Sequence, residues 1–227
     1  VSIFILCILS YYSWSQITYP GTPNIGTPQV VFDYSSDKCT DDDLPDVPAR
    51  AFRDASGKIN LIASHHTNWR MIGNDFDNLS KDCNPVLESD LDENPANFND
   101  KEWIVSTYTN DGINIHALLH NEYVPCGNWN NCWYNAITYA FSSDSGKTYT
   151  HTDAPNHLVA SSPYQSPYPS NHSPFGLFGG SNIIEKDGYY YKLVQIESYG
   201  EQQWGTGILR TNNLADPRSW RGWNGED

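Results

Sequence analysis

Three carboxylates in this chain are spaced as paired acid–base chemistry would need them: Asp46, Asp100 and Glu122. Glu122 lies in the run His120-Asn121-Glu122-Tyr123, directly after the apolar residues 117–119. Apolar surroundings raise a carboxyl pKa and make it a proton donor, whereas an exposed carboxylate stays ionised and activates water or attacks carbon. Glu122 is therefore the candidate acid, Asp46 the candidate base, and Asp100 a third carboxylate that tunes the pair. Two such groups flanking an acetal carbon are what glycoside hydrolysis requires. His65, His120, Asn121, Tyr123 and Asn182 are candidate substrate contacts, and Arg50 and Arg70 could hold an acidic sugar through bidentate hydrogen bonds. His65, His66 and His120 are also possible ligands for a transition metal. Adjacent histidines in a strand point to opposite sides, so only one of His65 and His66 would face a given site. The reading requires no cofactor. A calcium or other divalent ion is the one addition the acidic loop 41–46 could take, although Asp41-Asp42-Asp43 lacks the alternate spacing of an EF-hand loop.

These residues are positioned by hairpins. Residues 103–109 and 113–119 are rich in β-branched, aromatic and aliphatic side chains, and Asn110-Asp111-Gly112 between them supplies the positive φ of a two-residue turn. The same unit recurs at 49–53 and 58–64 around Asp54-Ala55-Ser56-Gly57, and at 181–185 and 189–197 around Lys186-Asp187-Gly188. Further strands are expected at 29–34, 135–142, 147–151 and 205–211, with irregular chain at 81–101 and a long loop at 155–174. No long 3.6-residue periodicity is present, which argues against an α/β fold. Four-stranded units repeating around turn glycines predict an all-β fold, a β-propeller. About three blades are visible, of five or six expected in the full protein. Within a blade, the turns gather on one face. The segments before the first strand and after the second gather on the other, and the candidate carboxylates and imidazoles would converge there.

Composition sets the compartment and the partners. The chain has 227 residues, a formal charge of −14 and only 13 Lys+Arg, which disfavours nucleic acid and anionic membrane as partners. Its 8 Trp and 15 Tyr suit a β-rich core and, in a cleft, the apolar faces of sugar rings. The opening run 1–9 reads as a signal-peptide h-region, too short to span a bilayer, with a small-x-small cleavage pattern at Ser13-Trp14-Ser15. This predicts a truncated signal peptide at 1–16, a Pro/Gly-rich linker at 17–28 and a propeller domain at 29–227, cut at both ends. The mature chain would be secreted, monomeric and free of membrane. Four cysteines would remain after cleavage, an even number suited to an oxidising compartment, and Cys39–Cys83 with Cys126–Cys132 is the expected pairing of three possible.

Two family resemblances follow. Ser142-Ser143-Asp144-Ser145-Gly146-Lys147-Thr148-Tyr149 resembles the Asp-box of sialidases and related propellers, S-x-D-x-G-x-T-W, with Tyr149 in place of Trp. In that family the box is a structural turn away from the catalytic site, so it implies fold. The chain from Asp46 to Trp220 also resembles five-bladed glycosidases such as arabinanases and β-xylosidases, which use an aspartate base, a second aspartate and a glutamate acid from successive blades. That resemblance implies a hydrolase of a polysaccharide or glycan. A non-catalytic binding propeller and a polysaccharide lyase using His120 or His65 with Tyr123 are the alternatives.

Overall fold

The computed structural model describes residues 26–63, 65–162, 174–197 and 203–225. The signal and most of the linker lie outside them. The chain divides into Val1–Val30 and Val31–Asp227, and the second unit carries the fold. It is all-β apart from single helical turns, and its strands form three successive antiparallel meanders.

The first meander is β1 (Arg50–Arg53), β2 (Ile59–Ile62), β3 (Thr67–Gly73) and β4 (Leu79–Glu88), a separate four-stranded sheet. The second is β5 (Lys101–Tyr108), β6 (Ile115–Tyr123), β7 (Tyr134–Ser142) and β8 (Leu158–Ser161). In the third, β9 (Phe175–Gly179) and β10 (Ile184–Lys186) both pair with β11 (Tyr189–Ile196), followed by β12 (Gly205–Thr211) and β13 (Arg221–Gly222). A short parallel pairing of Tyr134–Asn135 with Phe175–Gly176 joins the second and third meanders into one nine-stranded sheet. The described residues build three meanders and not a closed ring.

Strand β6 shows why both of its faces read as apolar. Ile115, Ala117 and Leu119 pack with Phe52, Ile62, Val86 and Ile104, between the first and second meanders. Leu118, of opposite parity, packs with Ile137, Leu177 and Val194, between the second and third. By the same alternation His120 and Glu122 face the third meander, and Asn121 faces the first.

Among the described residues, edge strand β5 has no ladder partner on its outer side, yet its backbone groups there are bonded. Glu102 N donates to Ser89 Oγ at 2.8 Å, and Asn68 Nδ2 donates to Glu102 O at 2.9 Å. Ile104 N donates to Asn68 Oδ1 at 2.9 Å, Arg50 Nε donates to Val105 O, and Thr107 N donates to Asn182 Oδ1 at 2.8 Å. The meanders are thus stitched by side chains reaching across to backbone.

Several sequence expectations are corrected. Residues 29–34 are not a strand; the helical turn α1 (Tyr34–Asp37) begins there, capped by Asp33, whose side chain accepts from Ser35 N. The segment 81–101 holds residues 81–88 of the ten-residue β4, whose mix of exposed and half-buried positions left no apolar alternation to read. Residues 147–151 give one isolated bridge, Phe141 to Thr150, and the fourth strand is β8, inside the stretch read as loop. The turn between β5 and β6 is longer than two residues, because Asp111 Oδ1 accepts from both Ile113 N and Asn114 N at 2.8 Å. Those bonds hold the Asp111 carboxyl down at about 2. The disulfides are Cys39–Cys83 and Cys126–Cys132, as expected.

Candidate active site

A cavity of about 450 Å³ opens where the chain before β1 meets β5, β6 and β9. Asp46 and His65 come from the first meander, Trp103, Val105, His120 and Glu122 from the second, and Phe178, Gly179 and Gln195 from the third. Trp133, just before β7, adds another wall. The approach of β9 to β5 depends on a missing side chain. A Cβ at Gly179 would lie 2.7 Å from Val105 Cγ2, so any larger residue would push the third meander off the second.

Two histidine–carboxylate pairs face this space. On the buried side, His120 Nε2 and Glu122 Oε1 are 2.9 Å apart, with side chains 7% and 9% exposed. Positions i and i+2 of one strand put both on one face. The His120 ring stacks on Phe178 at 5.1 Å and lies 5.8 Å from Trp103, which fixes its plane. With Nε2 bonded to Glu122, His120 Nδ1 is buried and has no hydrogen-bond partner among the described residues. On the rim, His65 Nε2 is 3.8 Å from Asp46 Oδ2, whose side chain is half exposed. His65 meets Trp103 edge-to-face at 5.5 Å. His66 packs against His65 at 4.3 Å and lies 5.9 Å from that indole, and burial, with the neighbouring His65, holds it below the usual imidazole range.

The arrangement has the parts a sugar site needs. Aromatic walls offer stacking surface, a buried carboxyl hydrogen-bonded to an imidazole can exchange a proton, and a second carboxylate sits at an open rim.

The other candidates lie elsewhere. Asp100 is buried but pairs with Lys101 Nζ at 3.2 Å and does not line the cavity. Arg50 is bound to backbone carbonyls of Val105 and Gly180, and burial lowers its pKa. Arg70 is clamped by Asp82 at 2.9 Å, Asn60 Oδ1 and Gly146 O, which ties β3 to the turn after β7. Neither guanidinium is offered to a ligand. Asn121 Nδ2 donates to Lys101 O, and Tyr123 is partly buried outside the cavity lining. Asn182 lines a different hollow, beside Gly57 and Gly112 at the turn ends of the hairpins. It lies there because the third meander starts at Phe175 rather than at 181, so Asn182 is past the first strand's end. In the acidic loop, Asp43 is buried and engaged by Lys81 Nζ at 2.7 Å and Cys39 N at 3.0 Å. Sequence reasoning missed Trp103, Trp133, Phe178 and Gln195. The run Phe175-Gly176-Leu177-Phe178-Gly179 carried a signal, since glycines alternating with large apolar residues mark close backbone approach.

No known protein family and no curated protein matches this sequence. Solved structures do match. An endo-1,4-β-xylanase from Bacteroides thetaiotaomicron is 12% identical with a TM-score of 0.50, over 79% of this chain and 53% of that one. A GH32 β-fructofuranosidase from Bombyx mori is 12% identical with a TM-score of 0.45, over 79% and 36%. A mutant α-L-arabinanase from Cellvibrio cellulosa is 9% identical with a TM-score of 0.40, over 75% and 72%. The resemblance to propeller glycosidases therefore holds for the fold. The chain spans about half the length of the xylanase.

Proposed function

We propose that this chain is part of a secreted glycoside hydrolase acting on a polysaccharide or glycan, with Glu122 as the acid and Asp46 as the base. The observation that carries this reading is the cavity that Glu122 of β6 and Asp46, just before β1, both line together with Trp103, Trp133 and Phe178. Glu122, buried and hydrogen-bonded to His120, would protonate the leaving oxygen. Asp46, on the open rim beside His65, would activate water or attack the anomeric carbon. Each four-stranded meander would be one blade of a propeller that has five or six in the full protein. The two disulfides fit an oxidising compartment.

One observation favours a second reading, a lyase. The bare, buried Nδ1 of His120, oriented by Glu122 through Nε2, has the form of an imidazole base that takes a proton beside a uronate carboxylate. Turnover of a polysaccharide panel by the full-length protein, read for new reducing ends and for ultraviolet-absorbing unsaturated ends, separates the two. For a hydrolase, Glu122→Gln should cut kcat about 10²–10⁴-fold with the fold intact, and products should be saturated. Unsaturated ends that vanish in His120→Ala would instead establish the lyase. Glycan binding without turnover would make the cavity a recognition site and remove the catalytic roles.

A further inference from the structure

Behind the cavity wall lies a second cluster that the proposed chemistry does not use. Glu102 precedes Trp103 on β5 and points to the opposite face, towards the first meander, as Ile104 does. Its carboxylate is 1% exposed. Thr138 Oγ1 donates to Glu102 Oε1 at 2.5 Å, while Oε2 is buried without a hydrogen-bond partner among the described residues. Two imidazoles from the segment between β7 and β8 face it. His151 Nε2 is 3.5 Å from Glu102 Oε2, and His157 Nε2 is 3.7 Å from Oε1. One ligand atom from each of these three residues lies within 4.8 Å of the others.

The hydrogen bonds around the cluster set which imidazole nitrogens are bare. His151 Nδ1 is 2.9 Å from Thr152 O, a carbonyl that only accepts, so Nδ1 carries the proton and the neutral ring presents a bare Nε2 to the carboxylate. His157 Nε2 is likewise 3.0 Å from Phe98 O, so its Nδ1 is bare, and that nitrogen is buried without a partner. For His151, a backbone carbonyl holding the far nitrogen is the usual support of a metal-bound histidine. A buried carboxylate oxygen facing the bare His151 Nε2 at 3.5 Å, beyond a normal hydrogen bond, is stabilised by a positive charge between them. Ligands 2.0–2.1 Å from a tetrahedral zinc stand about 3.4 Å apart, close to the 3.5 Å between His151 Nε2 and Glu102 Oε2.

We propose that Glu102, His151 and His157 form a structural site for zinc or a similar transition metal that fastens the segment between β7 and β8 to β5. Two nitrogens and one carboxylate suit zinc and not the all-oxygen preference of calcium or magnesium. Entry is from the side of His151, whose side chain is 14% exposed. There Asp90 Oδ2, 3.9 Å from His151 Nε2, or a water completes the shell.

The test uses untagged protein freed of metal by chelator dialysis and titrated with zinc chloride, with calcium chloride as the control. Calorimetry should find one zinc per chain. At a free zinc concentration a hundredfold above Kd, the melting temperature should rise by about 5–10 °C, and calcium should do neither. His151→Ala should weaken zinc binding at least a hundredfold. Because His151 is the least buried ligand, that variant should still fold even if Glu102→Gln does not. Absence of stoichiometric zinc binding, undiminished affinity in His151→Ala, or loss of binding in His65→Ala but not in His151→Ala would each overturn the assignment.

Discussion

Lys192 lies on β11 with no exposed surface. Its Nζ donates to Ser106 Oγ and to Ser181 O, at 2.5 and 2.8 Å. No carboxylate among the described residues pairs with it, and burial, aided by Arg50, depresses its pKa to about 7. Between pH 7 and the unfolded value near 10.4, the unfolded chain binds the extra proton and the native chain does not. Stability should therefore rise with pH across that window. From pH 7 to 9 the gain should be about 2 kcal/mol in urea unfolding, and Lys192→Met should abolish the slope. An equal slope in the variant would assign it to other groups. At this scale the candidate site was only partly legible. His65, His120, Glu122 and Asp46, which line one cavity, could be singled out because each adjoins a recognisable strand. Arg50 and Arg70 were misjudged because nothing in sequence shows which carbonyls or carboxylates will surround a guanidinium. Glu102 and His157 were missed for a related reason: their meeting depends on register between β5 and β7 and on a segment that carries little pattern of its own.

Hairpins, by contrast, were readable because β-branched and aromatic runs flank residues that accept positive φ. Gly112 shows what the turn demands. It sits at φ +69°, and a Cβ there would lie 2.4 Å from Ala55 N, whose amide donates to Gly112 O. Gly112→Ala should therefore cost about 1–3 kcal/mol, through strain and through separation of the first two hairpin turns, as read by equilibrium unfolding. The Cys39–Cys83 disulfide acts between elements rather than inside one. It ties the segment after α1 to β4 across 44 residues, and replacing both cysteines by serine should lower stability by about 2–4 kcal/mol. Removing Cys126–Cys132, which spans 6, should cost less. The outer strands β4 and β8 escaped notice because alternation fades where a strand is exposed or only half buried on both faces.

Across the whole molecule, three meanders of one design pack face to face, with cores between the first and second and between the second and third. The cavity forms where their inner strands meet, so no single meander could hold it. The same convergence leaves a strand edge at the molecule's centre, and the bonds that Asn68, Ser89, Arg50 and Asn182 make to β5 occupy the groups that would otherwise accept a foreign strand. Unsatisfied edges are templates for pairing between chains. Asn68→Leu would free Ile104 N and remove one of the two donors to Glu102 O, and its first symptom should be self-association during refolding, seen by light scattering. Those polar side chains act as a guard against aggregation, sparing the protein the intermolecular β-pairing that its richest strand would otherwise invite.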